Sequence, residues 1–284
     1  INEFEKKIAR YCQRKDACVV QSGTAAIHLA IRVLGISEGD TVLCQSFTFI
    51  GSCNPVIYER ANLIFIDSEN ETWNMCPNSL RNALEDCRKR KIKPRAIIVV
   101  HLYGMPAKMD EILSIANEYK VDVIEDAAEA IGSKWKNLPV GSFGHASTFS
   151  FFGNKTISTG EGGMILFQKS EILNKAKILR DHGMSPSKRY WHDDIGFNYR
   201  LTNMQAAIGV AQLERFDAIL EKKLEIAKLY KKYLKGEDNI FMLPNEYSNV
   251  VHSNWLFTII LNKKIKRDLL IDELNNLGIE TRPV

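Results

Sequence analysis

The sequence predicts an α/β protein whose mostly parallel sheet is covered by helices on both faces. Up to Gly141, short apolar runs rich in β-branched residues alternate with helical patterns. This alternation is typical of parallel strands that connect through helices. The 284 residues are 45% hydrophobic and 25% charged, which is ordinary for a folded globular chain and excludes disordered and collagen-like proteins.

The first half of the sequence predicts strands and helices that alternate along the chain. An amphipathic helix is predicted over 2–14, and a strand over 18–20 leads through a Ser-Gly-Thr turn into a helix over 25–34. The remaining predicted elements of this half are strands over 41–44, 63–66, 96–100 and 121–124 and helices over 78–89 and 109–119.

The sequence pattern changes after Gly141. Strands are predicted over 146–152 and 164–167, joined by a turn rich in Gly and Thr. One long helix is predicted over 203–234, with a shared apolar face formed by Ala206, Ala207, Val210, Leu213 and Phe216. A looser stretch around Pro244 and Asn245, a strand over 254–261 and a helix over 266–277 complete the pattern.

These patterns divide the chain into a large domain over 1–215 and a connecting helix with a partial small α/β domain over 216–284. The first residue, Ile1, already stands close to a helical pattern, and a new segment is beginning where the chain stops at Val284. We therefore expect the natural protein to extend beyond both ends, and the small domain to be incomplete.

Charge and cysteine content narrow the function classes. A net charge of +4 from 38 basic and 34 acidic side chains gives little support for nucleic-acid binding, and the dense basic run over 88–91 is typical of a solvated helix end. The six cysteines form no CxxC pair, which favours buried reduced thiols over disulfides or a zinc site. No apolar run reaches the roughly 18 residues of a membrane span, and no signal peptide is recognisable, so we expect a cytoplasmic protein without a membrane partner.

Three segments carry candidate chemistry, and the first is the turn over 21–25. Here a strand runs into a helix whose free amides and positive dipole end suit a phosphate. The alternative is an ordinary N-cap by Ser22 or Thr24.

The second segment, over 123–129, places Glu125 and Asp126 directly after an apolar strand, where ligands of α/β sheets bind. An acid at a strand end can hold a protonated ring nitrogen of a cofactor. The alternative is again an N-cap, with Asp126 beginning a short helix.

The third segment contains Lys155, in a turn that follows an aromatic strand. A lysine in such a place can have its pKa lowered by burial and react as a nucleophile with a carbonyl group. A phosphate-binding turn, a strand-end aspartate and a lysine 29 residues after Asp126 (155 − 126) are together what pyridoxal 5′-phosphate requires.

Seven strings carry a family resemblance, in sequence order: SGTAAIHLA, QSFTFIGSCNPV, VIEDAAEAIGS, TFSFFGNKTISTGEGGMI, RDHGM, IGFNYRLTNMQAAIGVAQL and GIETRP. Together they resemble the DegT/DnrJ/EryC1 family of sugar aminotransferases, and within it the GDP-perosamine synthase branch. The resemblance covers nearly the whole chain. It implies the PLP-transferase fold of type I, which is that of aspartate aminotransferase.

The resemblance also implies roles for the acidic and basic residues. Lys155 would bind the aldehyde of the cofactor and then move the proton between substrate and cofactor, while Asp126 would pair with the pyridinium nitrogen. Glu129 stands where many relatives have Gln, beside the hydroxyl of the cofactor, and a carboxylate there departs from the family pattern.

Further cofactor contacts are implied by position. Phe49 matches the aromatic residue that stacks on the ring, although a core aromatic is the alternative. Asn198 matches the asparagine that reaches the phosphate in the partner subunit, which would make a homodimer part of the active site; a plain turn residue is the alternative. The phosphate-binding positions are matched by Gly23, Thr24, Ala25 and Ser150.

Three residues are weaker substrate candidates. Tyr190 and His192 could line the substrate entrance or belong to a surface loop, and Arg282 could face the ligand or form a structural ion pair. Histidine spacing that would bind a metal is absent, and HExxH does not occur, so we predict no metal site.

The predicted function is transfer of an amino group from L-glutamate to a nucleotide-linked 4-keto-6-deoxy sugar, as in the synthesis of lipopolysaccharide O-antigens or of secondary-metabolite sugars. Two alternatives stay open. Some relatives replace the lysine by histidine and dehydrate a ketosugar, and a non-catalytic regulatory protein could share the scaffold. The presence of both Lys155 and Asp126 favours the aminotransferase.

Overall fold

The computed structural model describes residues 1–242 and 249–283. Two short 3₁₀ turns, Ile50–Ser52 and Leu102–Gly104, follow the second and fourth strands. The strands in the described ranges are β1 (Ala17–Val20), β2 (Thr41–Gln45), β3 (Asn62–Ile66), β4 (Pro94–Val100), β5 (Asp122–Asp126), β6 (Lys134–Trp135), β7 (Leu138–Pro139), β8 (Ala146–Ser150), β9 (Gly163–Phe167), β10 (Ile240–Met242) and β11 (Ile259–Leu261).

Helices connect each pair of successive strands from β1 to β5. The helices in the described ranges are α1 (Asn2–Tyr11), α2 (Gly23–Val33), α3 (Asn54–Tyr58), α4 (Pro77–Lys89), α5 (Met109–Tyr119), α6 (Ser170–Arg180), α7 (Asn203–Glu214), α8 (Phe216–Tyr233) and α9 (Arg267–Asn276). Within the part of the chain that the structure describes, no helix is both long and apolar enough to span a bilayer.

Seven strands form one sheet in the order β1-β9-β8-β5-β4-β2-β3. The neighbours from β8 to β3 are parallel, whereas β9 runs antiparallel to both β1 and β8. Six strands therefore point the same way, which confirms the predicted α/β fold with a mostly parallel sheet. Their carboxyl ends lie at one edge, where ligands of such sheets bind.

The core lies on both faces of this sheet. One cluster packs α2 and α6 against one face, and others pack α4 and α5, and α1 with α7, against the opposite face. The burial explains why the strands read as continuous apolar runs rather than as alternating ones: all residues of β1, β2 and β9 are buried.

Helix α2 begins where the sequence predicts a phosphate-binding turn. The hydroxyl of Ser22 accepts the backbone amide of Ala25 at 3.1 Å and caps the helix. Nine of the eleven residues of α2 are buried, so the position of its N-terminus is fixed by core packing.

The predicted single helix over 203–234 is wrong, because the chain breaks between α7 and α8. Arg215 has φ −107° and ψ 7°, and the change of direction buries Phe216. The Phe216 ring meets that of Tyr11 edge-on at 5.6 Å, and it lies against Gly132. Packing of one aromatic side chain thus accounts for the break.

The predicted strand over 254–261 is also too long, since β11 contains only Ile259–Leu261. Asn254 has φ +51°, and the amides of Ser253 and Trp255 donate to the carbonyls of Gly104 and Tyr103. Residues 249–255 therefore lie across the loops of the large sheet. The predicted division after residue 215 stays a prediction, and the stretch predicted around Pro244 and Asn245 lies outside the described residues.

The sequence pattern did not predict α3, α6, β10 or the hairpin of β6 and β7. The basic run over 88–91 is exposed at the end of α4, as predicted. The six cysteines are free, and five of them are buried.

Candidate active site

The candidate site lies in the loops that follow β1, β2, β5 and β8, at the carboxyl edge of the sheet. Each of the three chemical segments identified in the sequence reaches this edge by its own strand. The parallel arrangement thus brings together residues that are far apart along the chain.

Asp126 is the last residue of β5 and is 5% exposed. One carboxylate oxygen, Oδ2, accepts the hydroxyl of Ser52 at 2.6 Å, and Oδ1 accepts the amide of Ala128 at 3.1 Å. Ser52 Oγ lies 2.7 Å from Thr48 Oγ1 in turn. These contacts fix the orientation of the Asp126 carboxylate, and a turn rather than a helix follows it.

Glu125, the neighbouring acid, has a structural role, because successive strand residues point to opposite faces. Burial acts to raise its pKa, but the hydrogen bond and charge of His101 and the backbone amides outweigh burial and lower the pKa. The donors to its fully buried carboxylate are the amides of Gly141 (2.8 Å), Phe143 (2.7 Å) and Gly144 (2.6 Å), the hydroxyl of Ser147 (2.8 Å) and His101 Nε2 (3.1 Å).

Lys155 lies in the turn after β8, and its side chain is 13% exposed. Its Nζ lies 3.8 Å from Glu129 Oε1 and 3.7 Å from the centroid of the Trp255 ring. Burial lowers the pKa of Lys155, the carboxylates of Glu129 and Asp126 act to raise it, and the charge of Arg282 lowers it further. A lysine with a lowered pKa has a larger fraction of nucleophilic free amine at neutral pH.

Glu129 lies three residues after Asp126 and is shielded from solvent. Its Oε2 accepts the backbone amide of Tyr103 at 2.8 Å. Burial raises the pKa of Glu129, against the opposing charge of Lys155 and the Tyr103 amide. Burial also raises the pKa of Tyr103 to about 12, with the charge of Glu129 adding to the shift.

The N-terminus of α2 and Ser150 form a corner whose geometry suits an anion. A Cβ on Gly23 would lie 3.0 Å from Cβ of Ser150, so Gly23 leaves room for the Ser150 side chain beside the start of α2. The amide of Ala25 donates to the Ser22 hydroxyl. The amides of Gly23 and Thr24 also lie in the first turn of the helix, where amides have no intrahelical acceptor. Free amides at a helix N-terminus favour a phosphate group.

Phe49 is not a core aromatic, since 73% of its side chain is exposed. A Cβ on Gly51 would lie 3.0 Å from the Phe49 ring and 3.3 Å from Thr24 Oγ1. The turn over 48–52 therefore joins the Phe49 ring, the start of α2 and, through Ser52, the carboxylate of Asp126.

The remaining predicted residues, Asn198, Tyr190, His192 and Arg282, make their contacts with partners other than Lys155. Asn198 is exposed and accepts Arg200 Nε at 3.3 Å, while the next carbonyl, that of Tyr199, accepts the amide of Gln21. Within 1–242 and 249–283, no hydrogen bond or ion pair joins Tyr190 or His192 to Lys155 or Asp126. Arg282 pairs with Glu280 at 3.1 Å and acts on Lys155 through its charge.

Sequence reasoning missed Ser52, Tyr103 and Trp255. Hydroxyl residues that follow a strand, as in the string QSFTFIGS, are a signal that could have indicated Ser52. No local pattern indicates Trp255, because its indole donates to the Asn154 carbonyl across 101 residues of sequence.

These residues fit pyridoxal 5′-phosphate. The corner of Gly23, Thr24 and Ser150 suits its phosphate, the fixed carboxylate of Asp126 suits a protonated ring nitrogen, and the shielded amine of Lys155 suits its aldehyde. The ring of Phe49 stands exposed beside the same corner.

The comparison with known families agrees with this geometry. The profile of the DegT/DnrJ/EryC1/StrS aminotransferase family matches residues 1–284. The chain belongs to this family. It is an aminotransferase that uses pyridoxal 5′-phosphate, as predicted.

Relatives of this family member include the GDP-perosamine synthase of Escherichia coli O157:H7, which is 43% identical over all of this chain and 76% of its own length. A DegT DnrJ EryC1 StrS aminotransferase from Brucella abortus has a TM-score of 0.91 at 29% identity, covering 98% of this chain and 73% of that one. Spr1654 from Streptococcus pneumoniae, in its PLP form, has a TM-score of 0.90 at 25% identity, covering 98% and 75%.

Proposed function

We propose that this enzyme transfers an amino group from L-glutamate to the keto group of a nucleotide-linked 4-keto-6-deoxy sugar, with a GDP-linked sugar as the expected substrate. The observation that carries the amino-transfer chemistry is the shielded amine of Lys155, 3.8 Å from Glu129, on the same sheet edge as the fixed carboxylate of Asp126. The GDP-linked sugar is proposed from the likeness to GDP-perosamine synthase.

When bound, pyridoxal 5′-phosphate supplies an aldehyde and an electron-withdrawing ring. Asp126 would hold the ring nitrogen protonated, with its own orientation set by Ser52 and Ala128. Lys155 would hold the aldehyde and later move a proton between the donor carbon and the cofactor. Burial lowers the pKa of Lys155, which favours the free amine that can act as the base. Glu129 would stand on the hydroxyl side.

The amides of Gly23 and Thr24 and the hydroxyl of Ser150 would hold the phosphate, with Ala25 supporting the corner through its bond to Ser22. Phe49 would stack on the ring. Tyr190, His192 and Arg282 are proposed for the substrate entrance, of which Arg282 acts electrostatically on Lys155.

A Lys155→Ala variant tests the central role. Proton transfer by a positioned base contributes about 10²–10⁴-fold, so we expect turnover to fall by at least about 100-fold. The assay follows release of 2-oxoglutarate from L-glutamate with GDP-, UDP- and dTDP-linked 4-ketosugars. Lys175→Ala, an exposed lysine of α6, is the matched control.

Each outcome decides one part of the proposal. Full activity of Lys155→Ala would refute the role of the lysine, and a clear preference for a UDP- or dTDP-linked sugar would refute the GDP-linked substrate. Loss of water from the ketosugar without a new amine would identify the dehydratase alternative. Absence of product with all three sugars would favour the regulatory alternative.

The enzyme is proposed to act as a cytoplasmic homodimer in which Asn198 completes the site of the partner subunit. Exposed apolar side chains on α3 and the edge strand β3, Ile57, Tyr58 and Phe65, support an association surface. Mixing Lys155→Ala with Asn198→Ala protein tests it. Random exchange should restore about a quarter of wild-type turnover, because half of the dimers are mixed and each has one intact site. Turnover no higher than the sum of the separate variants would refute the shared site.

A further inference from the structure

The ring of Trp255 covers the amine of Lys155, and the structure fixes this ring firmly. Trp255 is 8% exposed, its indole Nε1 donates to the carbonyl of Asn154 at 2.8 Å, and its backbone amide donates to the carbonyl of Tyr103 at 2.9 Å. Both ends of the residue are therefore held, and the ring face is presented to Lys155 Nζ at 3.7 Å.

Glu129 provides a second contact on the same amine. Its Oε1 lies 3.8 Å from Lys155 Nζ, and its Oε2 accepts the amide of Tyr103 at 2.8 Å. The Tyr103 ring stacks against Trp255 with a centroid distance of 6.4 Å and an interplanar angle of 21°. Tyr103 thus orients both groups that contact the amine.

Burial is the largest influence on this amine and lowers the pKa of Lys155. The contacts with Trp255 and Glu129 act against burial, because both favour the ammonium form. An aromatic face attracts a cation, more strongly when water is excluded, and a carboxylate within 4 Å adds to this attraction. The other charged or titratable groups that act here are Asp126, which favours the ammonium, Arg282, which opposes it, and the Tyr103 phenol, which stays neutral at ordinary pH.

We propose that Trp255 and Glu129 form a holding site for the ammonium group of Lys155 whenever this amine is not bonded to the cofactor. Trp255 acts as a positioning residue that keeps the released lysine inside the site. The inference rests on the proposed function in one respect, namely that Lys155 is the lysine that binds the aldehyde. Trp255, from the segment over 249–255, would thus act on a site that is otherwise formed by the loops of the large sheet.

The test measures the protonation of Lys155 in the full chain loaded with pyridoxamine 5′-phosphate, which leaves the lysine free. Acetic anhydride modifies only the unprotonated amine, and peptide mass spectrometry gives the extent at Lys155 across a pH series. In Trp255→Leu we expect the midpoint to fall by about one pH unit, which means about tenfold faster modification below the midpoint. Trp255→Phe retains an aromatic face and should shift by less than half as much.

Two further variants sharpen the result. Glu129→Gln removes the negative charge and should also lower the midpoint, independently of the ring. Trp191→Leu is the matched control. The ring of Trp191 also contacts a lysine ammonium, since Lys188 Nζ lies 4.0 Å from its centroid, but Trp191 is exposed in a loop. It should leave the Lys155 midpoint unchanged.

The inference is overturned if Trp255→Leu leaves the midpoint within about 0.2 pH unit, or if Trp255→Leu and Trp255→Phe shift it equally, since bulk rather than the ring face would then matter. The proposed function fails separately. If loading with pyridoxal 5′-phosphate does not protect Lys155 from the reagent in the wild type, Lys155 is not the aldehyde-binding lysine, whatever the effect of Trp255.

Discussion

Helices α2 and α9 differ in how much of their surface is buried in the core. Nine of eleven residues of α2 are buried, whereas within the described range no residue of α9 is buried. The difference separates the sheet region that carries the candidate site from α9, which packs little against the rest of the described structure. The segment over 252–255, by contrast, is buried or nearly so and brings Trp255 onto Lys155.

The largest expected effect lies in the polar core of the sheet region. Glu125→Ala leaves five hydrogen-bond donors without their acceptor, and we expect the free energy of unfolding to fall by about 4 kcal/mol. Urea denaturation measures the loss. Glu273→Ala in α9 removes an exposed carboxylate and should change the value by less than about 0.5 kcal/mol. Equal losses of unfolding free energy in Glu125→Ala and Glu273→Ala would contradict the difference between the sheet region and α9.

The apolar core gives the next largest effect. Leu29 of α2 is fully buried, so Leu29→Ala should lower the free energy of unfolding by about 3 kcal/mol, as the side chain leaves a cavity. Leu269 of α9 is 57% exposed, and Leu269→Ala should cost less than about 1 kcal/mol. Thermal and urea unfolding of both variants measure the contrast. A larger loss for Leu269→Ala would show that α9 is packed in solution.

The smallest expected effect is the pH dependence of stability caused by His252, in the buried segment over 252–255. Burial lowers the pKa of His252 to about 4, and its Nε2 donates to the Tyr103 carbonyl at 3.2 Å. Unfolded histidine titrates near 6.5, so the unfolded state binds more protons between these values. The contribution of His252 to stability is therefore complete above pH 6.5 and decreases as the pH falls, by about 2 kcal/mol at pH 5.

Urea unfolding at pH 7 and pH 5 measures this difference. His252→Gln should remove it, and the exposed His192→Gln should not. An unchanged pH dependence in His252→Gln would mean that the segment over 252–255 does not dock as the structure has it.

The regular elements were predictable where their causes are local. The helix over 109–119 was predicted with the bounds it has in the structure, and the strands of the sheet agree within a few residues. The break at Arg215 and the shortened β11 were not predictable, because the burial of Phe216 and the bonds of Ser253 and Trp255 to another loop decide them.

The α/β class, the family and the order of the predicted phosphate turn, Asp126 and Lys155 can be inferred from the sequence alone, because each pattern involves residues close together in the chain. Which groups surround these residues depends on the tertiary structure. Ser52 reaches Asp126 across 74 residues, and the Trp255 indole reaches the carbonyl next to Lys155 across 101. Local periodicity does not specify such contacts, since they arise when parallel strands end at one edge and a distant segment packs against it.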